Sequence, residues 1–191
     1  MPRQREFDPY EALQTAIALF WEKGYYDTSV DEVVKRSGVA KYGIYGTFGT
    51  KRELFKKALI QYASDRHKDI QRPIRKPDAA LPEVLTFFKN VPGKLKNSPH
   101  GCLIANTGVE LGMRDPEISD FVKGFFRDTA NVMQDCLERA VERGQLPKPT
   151  DVTTLSTYLV TEFRAALMLA ASGHSRRDIA RHLQMALQVL H

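Results

Sequence analysis

Cysteine is scarce in this sequence of 191 residues, which contains only Cys102 and Cys136. Two cysteines cannot build the disulfide framework of a small secreted domain, and neither lies at the cysteine or histidine spacing of a zinc site. The sequence also shows no amino-terminal signal peptide and no apolar run long enough to cross a bilayer. We therefore expect a cytoplasmic protein with no metal site and no membrane partner.

The common catalytic motifs are missing as well. The sequence has no glycine-rich phosphate loop and no Gly-x-Ser-x-Gly elbow, and its five histidines are scattered without a matching acid and nucleophile. These absences argue against an enzyme, and they give no reason to expect a cofactor.

The overall composition is that of a soluble globular protein with a basic surplus. Hydrophobic residues make up 42% of the chain and charged residues 27%, and the length is sufficient to bury a real core. The formal net charge is +5 at pH 7. A positive surplus agrees with a polyanionic partner, which directs attention to the basic segments.

A helix-turn-helix pattern lies between residues 28 and 54, which read TSVDEVVKRSGVAKYGIYGTFGTKREL. Either Thr28 or Ser29 can cap the first helix, and an acid three positions later completes a capping box. Gly38 can adopt the positive φ that ends one helix and lets the next leave at a steep angle. Two short helices with such a turn are typical of DNA-binding proteins.

The second helix of this pair, roughly residues 40–47, has an unusual surface. Ile44 and Phe48 are four positions apart and can pack inward. The other faces carry small and polar residues: Lys41, Tyr42, Gly43, Tyr45, Gly46 and Thr47. Glycines permit close backbone approach to the major groove, and the polar side chains can donate to phosphates or base edges. From Lys35 to Lys57 there are seven basic residues and one acid, so the local field is strongly positive.

The third helix of the region begins with a second capping box, formed by Thr50 and Glu53. Lys51 therefore lies in the first turn of a helix that extends to about Gln71. The helix dipole disfavours a lysine there, but a cation beside free amides makes a good phosphate clamp. The stretch RPIRKPDAALP that follows is the clearest boundary in the chain.

The beginning of the chain predicts a brace for the helix-turn-helix. Residues 1–7 form a short basic arm, which could lie along DNA or be a frayed terminus. A helix over residues 10–23 then supplies Phe20 and Trp21, which with Tyr25 should complete a three-helix domain. Trp21 is expected in the core or half-buried, not in the recognition surface.

Residues from 82 onward show helical periodicity and no strand-like alternation. The sequence therefore predicts an all-α protein of about nine helices. Its predicted domains are a helix-turn-helix DNA-binding domain (1–52) and a ligand-binding and dimerisation domain (53–191), which share the helix of about 51–71. The last two helices carry apolar residues that could form a dimer interface or pack within the subunit: Leu155, Leu159, Phe163, Ala166, Leu167, Ala170, Ile179, Leu183, Ala186, Leu187 and Leu190.

A polar stripe lies in the predicted helix of residues 102–112. Cys102, Asn106 and Glu110 are four positions apart and share one face. An inward-facing amide and carboxylate must either satisfy neighbouring backbone or line a cavity. Further candidates for a ligand pocket, each of which could equally be ordinary core, are Tyr62, Phe87, Phe88, Phe126, Met133, Phe163 and Met168.

The run VDEVVKRSGVAKYGIYGTFGTKRELFKKAL resembles the DNA-binding segment of the TetR family of transcriptional repressors. That family combines a valine-rich helix, a Gly-Val turn, a lysine before an aromatic-containing recognition helix, and then Phe-x-[Ser/Thr]-Lys-x-x-Leu. The resemblance implies a homodimer, joined through the last two helices, that binds double-stranded operator DNA and is released by a small-molecule inducer. It assigns DNA contacts to Thr28, Ala40, Lys41, Tyr42, Gly43, Tyr45, Thr47 and Lys51.

The run Gly-Cys-Leu-x-x-Asn-x-x-x-Glu-Leu, followed by Asp-Pro, resembles a subgroup of this family in which some members sense electrophiles or oxidants through the cysteine. Cys102 near a helix N-terminus, two residues from His100, is a setting that favours the thiolate. Alternatively, Cys102 is a small buried hydrophobe and the inducer binds without a covalent bond. Cys136 lies among apolar residues and is expected to be inert.

A second functional hypothesis is an all-helical dimeric adaptor without sequence-specific DNA binding. The two hypotheses differ in their response to salt. A repressor should lose DNA affinity steeply as salt rises, because binding releases counterions from the phosphates, whereas an adaptor has no such affinity to lose.

Overall fold

The computed structural model describes residues 7–95 and 100–190 of the chain. Within these two ranges the regular structure is nine α-helices and one 3-10 turn, with no strand. The predicted all-α class with about nine helices is confirmed. The predicted basic arm lies outside the described residues except for Phe7.

The chain forms two compact units, of which the first ends at Ser64 and the second begins at Asp65. The first three helices are α1 (Pro9–Lys23), α2 (Val30–Ser37) and α3 (Lys41–Phe48), and α4 (Lys51–Asp69) contains the boundary between the units. The second unit continues with α5 (Leu81–Leu95), α6 (Leu103–Leu111), α7 (Pro116–Glu142), α8 (Val152–Ala171), α9 (Arg176–Ala186) and the 3-10 turn Leu187–Leu190. The units thus divide within α4, twelve residues beyond the predicted limit of residue 52.

Capping side chains fix the start of α2. Ser29, not Thr28, is its N-cap, and Glu32 completes the capping box by accepting from the Ser29 amide. Gly38 ends the helix with φ 70°, a left-handed conformation that favours glycine because it has no Cβ. The predicted cap and turn are confirmed, and the turn brings α3 directly after α2.

Aromatic rings fill the core of the first unit. Phe20 of α1 meets Phe55 of α4 edge to face, with ring centroids 4.8 Å apart, and Tyr25 lies 4.9 Å from Phe55. Trp21 is half-buried and packs on Tyr62 at 5.5 Å. These rings pack α1 against α4, whereas α1 meets α2 through the ion pair of Glu22 with Arg36. Tyr62, a predicted pocket residue, lies within the first unit.

Helix α7 is the central element of the second unit. It packs against α5, α6 and α8, while α9 packs against α5 and α8. Phe87 of α5 lies 5.0 Å from Phe88 and 5.0 Å from Phe163 of α8, edge to face in both cases. Full burial of such a side chain stabilises the fold by about 1.5–3 kcal/mol.

The apolar residues predicted as a possible interface on the last two helices belong to the core of the subunit. Nine of the eleven are buried, and Leu155 and Leu187 are half-buried. Their helical spacing therefore reflects packing of α8 and α9 against α5, α7 and each other. The exposed large apolar side chains of this region are instead Tyr158, Met168, Met185 and Val189.

A buried hydrogen-bond network holds the end of α4 and the following turn to α7. Gln71, which is 1% exposed, donates through Nε2 to Thr129 Oγ1 at 2.8 Å. Its Oε1 accepts from Arg75, which also pairs with Asp128. The proline-rich stretch predicted as a boundary therefore belongs to the second unit, because the polar groups beside it are satisfied there.

His67 gives the second unit a predictable pH dependence. Burial lowers the pKa of His67, Arg75 lowers it further, and Asp128 opposes both. The unfolded chain therefore takes up a proton at His67 before the folded chain does. Stability from neutral His67 is fully present above pH 6.5 and is lost as the pH falls through the lowered pKa of the folded state.

We expect wild type to lose more stability than His67→Gln when the pH is lowered from about 7.5 to about 5.5. The urea unfolding midpoint at the two pH values measures this. Each protein serves as its own reference, which removes the constant cost of losing the ring stacked 5.0 Å from Phe125. A loss of the same size in both proteins would show that other groups cause the dependence.

Within residues 7–95 and 100–190 no helix is long and apolar enough to span a bilayer. The same residues contain no group of three or more His, Cys, Asp or Glu side chains arranged to hold a metal ion.

Candidate nucleic-acid interface and regulatory site

Helix α3 is anchored on one face and open on the other. Ile44 and Phe48 are 0% and 5% exposed and hold the helix to the first unit. Tyr42 is 65% exposed and Tyr45 is 44% exposed. Exposed side chains are also found at Ala40, Lys41 and Thr47. Two tyrosines presented side by side on a short helix can stack on or donate to a partner, so this face is suited to recognition.

The N-terminus of α3 has no side-chain cap. Ala40 is the N-cap and can offer no side-chain acceptor. No side chain therefore caps the start of α3, and the Gly43 amide donates to the Ala40 carbonyl at 2.8 Å. Lys41 is the first residue of the helix, with Nζ 2.7 Å from Asp31 Oδ1, and this hydrogen bond raises the pKa of Lys41. The lysine therefore stays in its charged form at the start of α3.

Lys51 is positioned by the turn between α1 and α2. Its Nζ donates to the carbonyl of Tyr26 at 3.2 Å and lies 4.5 Å from the ring centroid of Tyr25. An ammonium group has three donors, so this lysine retains donors for a phosphate while its direction is fixed. Thr50 and Glu53 form the predicted capping box beneath it.

Thr28 differs from the other predicted DNA contacts. It is 1% exposed, and its hydroxyl lies 2.7 Å from the carbonyl of Gly24 and 3.2 Å from that of Leu19. The side chain lies in the interior of the first unit, where its single hydroxyl proton lies closest to the Gly24 carbonyl at the end of α1. The structure therefore gives Thr28 a role in holding the turn, not an exposed position.

The polar stripe of the regulatory half is divided between core and surface. Cys102 is the N-cap of α6 and is 4% exposed. Asn106 is half-buried and donates through Nδ2 to the carbonyl of His100 at 2.7 Å. With Glu110 and Met168 it lines an open groove of about 330 Å³ between α6 and α8. The stripe therefore does not face inward as a whole. Cys102 lies in the core, whereas Asn106 and Glu110 line the open groove.

All but one of the aromatic and methionine pocket candidates of the second unit are core residues in this structure. Those that are buried are Phe87, Phe88, Phe126, Met133 and Phe163. Met168 is 54% exposed and belongs to the groove. Cys136 is fully buried, and burial raises the pKa of its thiol, which agrees with an inert cysteine.

Thr107 is a candidate that the sequence did not indicate. It lies on α6 and is 1% exposed, and its hydroxyl has no hydrogen-bond partner among the described residues. A buried hydroxyl without a partner is costly, and a ligand could supply the missing bond. Spacing gives no warning of this, because a threonine inside a helix commonly bonds the carbonyl four residues earlier.

Two family models match the chain. The model described as "Bacterial regulatory proteins, tetR family" matches residues 12–58, and that described as "Tetracyclin repressor-like, C-terminal domain" matches residues 80–186. Among curated relatives, the uncharacterised HTH-type transcriptional regulator YezE of Bacillus subtilis is 28% identical over the whole of both chains. The HTH-type transcriptional repressor ComR of Escherichia coli is 27% identical, covering 91% of this chain and 84% of its own.

Solved structures of TetR family regulators are also similar to this chain. A TetR transcriptional regulator from Rhodococcus is 31% identical, covers 96% of this chain and 98% of its own, and superimposes with a TM-score of 0.62. The regulator CifR, in complex with 26-base-pair double-strand operator DNA, has a TM-score of 0.84 and covers 97% of this chain and 98% of its own. At 22% identity the CifR comparison shows that the fold is shared.

Proposed function

Because the chain belongs to the TetR family of DNA-binding transcriptional regulators, and not to a family of enzymes, we propose that it is a repressor that binds a palindromic operator through α3. We further propose that a small molecule or electrophile, acting on the second unit, releases it. Family membership also argues against the alternative hypothesis of an adaptor that does not bind DNA.

The observation that carries this proposal is the open face of α3. Tyr42 and Tyr45 are exposed there, and Lys41 stands at an uncapped helix N-terminus. Phosphates would bind the lysines, whereas base edges would meet the tyrosines and Thr47. In this proposal the exposed Ala40 belongs to the same helix surface, Gly43 is half-buried, and Thr28 supports the helix from the interior.

We propose a homodimer joined through α8 and α9. Tyr158, Met168, Met185 and Val189 are large apolar side chains left 36–72% exposed in this region, and burying them in a partner would remove them from water. A twofold dimer also has a purpose in DNA reading, since it places two recognition helices about one DNA turn, or roughly 34 Å, apart.

The proposed release is a shift in the population of dimers. Helix α4 is continuous from Lys51 to Asp69, so a rearrangement around its end can move its beginning. A ligand that favours the moved state would leave the two recognition helices wrongly spaced for the operator. Distances between spin labels on the α3 helices of a dimer should change when inducer is added. An unchanged distribution in a dimer that has released DNA would contradict this mechanism.

We propose Cys102 as the sensor if the inducer is an electrophile. Its thiolate would add to a ring carbon of a quinone, forming a C–S bond and leaving a hydroquinone thioether without a further oxidant. The thiol is buried at the start of α6, so reaction requires that segment to open. Addition of a bulky ring to a buried sulfur should then prevent the segment from closing.

We expect a thiol-reactive quinone to release wild type from the region upstream of its own gene, and to leave Cys102→Ser bound. Cys136→Ser is the matched control, since it removes the other cysteine and should respond as wild type does. Fluorescence anisotropy of the labelled duplex measures release. If Cys102→Ser is released as readily as wild type, the cysteine is not the sensor, and non-covalent ligands of the groove and of Thr107 become the candidates.

A further inference from the structure

Gly43 of α3 has a neighbour that its sequence position does not suggest. A methyl group at Gly43 would lie 3.1 Å from Cε1 of Phe7 and 3.2 Å from Cγ1 of Val39. Both distances are shorter than the 3.5–4.0 Å at which carbon atoms ordinarily meet. At Gly46, one turn along the same helix, a methyl group would meet nothing within 4 Å. Space is therefore restricted at one glycine of α3 and free at the other.

Phe7 is held in place by the start of α1. It precedes Asp8, whose side chain caps α1 by accepting from the Tyr10 amide, and Pro9 fixes the first helical position. Helix α1 is in turn anchored by fully buried residues such as Ala16 and Phe20. The half-buried ring of Phe7 lies against α3 at Gly43.

Helix α3 needs such a support at its beginning. It has only eight residues and no side-chain cap, and short helices in water depend on packing for their stability. Ile44 and Phe48 pack its middle and its end. At the first turn, Phe7 and Val39 lie against Gly43, and Lys41 is held separately by Asp31.

We propose that Phe7 is a positioning residue for the recognition helix, and that Gly43 is a glycine because the Phe7 ring occupies the space of its side chain. This inference rests on the proposed function of α3 as the recognition helix. It differs from the sequence interpretation, in which Gly43 allows the DNA to approach the backbone closely.

Four proteins separate the two explanations: wild type, Gly43→Ala, Phe7→Ala and the double variant. The first readout is affinity for an operator selected by wild type from a pool of random duplexes. We expect Gly43→Ala to weaken operator binding about tenfold when Phe7 is present, because the added methyl group displaces the ring or tilts α3. In the Phe7→Ala background the same substitution should weaken binding by about threefold or less, the remainder reflecting Val39. An equal loss in both backgrounds would overturn the proposal and favour close approach of DNA.

The second readout is the thermal unfolding midpoint without DNA, which does not depend on the function of α3. Gly43→Ala should lower the midpoint when Phe7 is present. In the Phe7→Ala background it should leave the midpoint unchanged or raise it, since alanine favours a helix over glycine. Gly46→Ala is the matched control and should raise the midpoint in both backgrounds. Identical shifts from Gly43→Ala in both backgrounds would refute the packing, whereas failure of wild type to select any duplex would refute only the proposed function.

Discussion

Replacing Gly101 by alanine should lower the free energy of unfolding of the second unit by about 3 kcal/mol. Gly101 has φ 70°, a conformation that costs a residue with a Cβ about 1–2 kcal/mol. A Cβ there would also lie 2.7 Å from Cβ of Ala171 and 2.8 Å from the carbonyl oxygen of Leu167. The oxygen belongs to the backbone of α8 and cannot rotate away, so overpacking adds about 1–3 kcal/mol.

Gly144→Ala is the control for the backbone term alone. Gly144 has φ 69°, and a Cβ there would meet nothing within 4 Å. Its replacement should cost only about 1–2 kcal/mol, and urea unfolding of the two variants measures the difference. If Gly101→Ala is no less stable than Gly144→Ala, the chain before α6 does not pass as close to α8 as described.

This result would bear on the Gly-Cys-Leu motif. Gly101 is the residue that lets the chain pass α8 on its way into α6, and it therefore fixes the buried position of Cys102. The glycine of the motif thus has a packing role whether or not the cysteine is reactive. The presence of this motif is therefore explained by the packing of the segment, and it is not by itself evidence that the cysteine is a sensor.

Tyr42→Ala should weaken binding to a selected operator by about tenfold or more and change binding to random DNA by less than about twofold. The ring is 65% exposed on the open face of α3, so its loss should not disturb the core. A side chain that reads a base edge typically contributes about 1–3 kcal/mol of discrimination and little to non-specific affinity. Tyr42→Phe, which keeps the ring and removes the hydroxyl, shows whether a hydrogen bond or stacking carries the effect.

Lys51→Ala provides the opposite pattern. Loss of a phosphate contact should weaken binding to both DNAs alike and reduce the slope of log affinity against log salt by about one. Lys51 also contacts the Tyr26 carbonyl and the Tyr25 ring, so its loss could destabilise the fold. The unfolding midpoint of the Lys51→Ala variant is therefore measured together with its DNA affinity. For Tyr42→Ala, an equal loss of affinity for operator and random DNA would show that Tyr42 does not read a base.

The all-helical class and several helix ends follow from the sequence alone. Ser29 with Glu32, and Thr50 with Glu53, form the capping boxes that the spacing predicts, and Gly38 ends α2 as predicted. The inward and outward residues of α3 also follow from spacing, as Ile44 shows by its burial. Such features depend on groups within about four residues of one another, which the sequence places directly.

The tertiary structure decided which polar and small residues the fold itself uses. Thr28 is enclosed by the end of α1, and Phe7 lies against Gly43. The apolar stripes of α8 and α9 are core, because α5 and α7 cover them. The stripe that begins at Cys102 divides between the interior and an open groove. Each of these outcomes depends on contact between segments far apart in the chain, and periodicity shows which residues share a face but not what covers it.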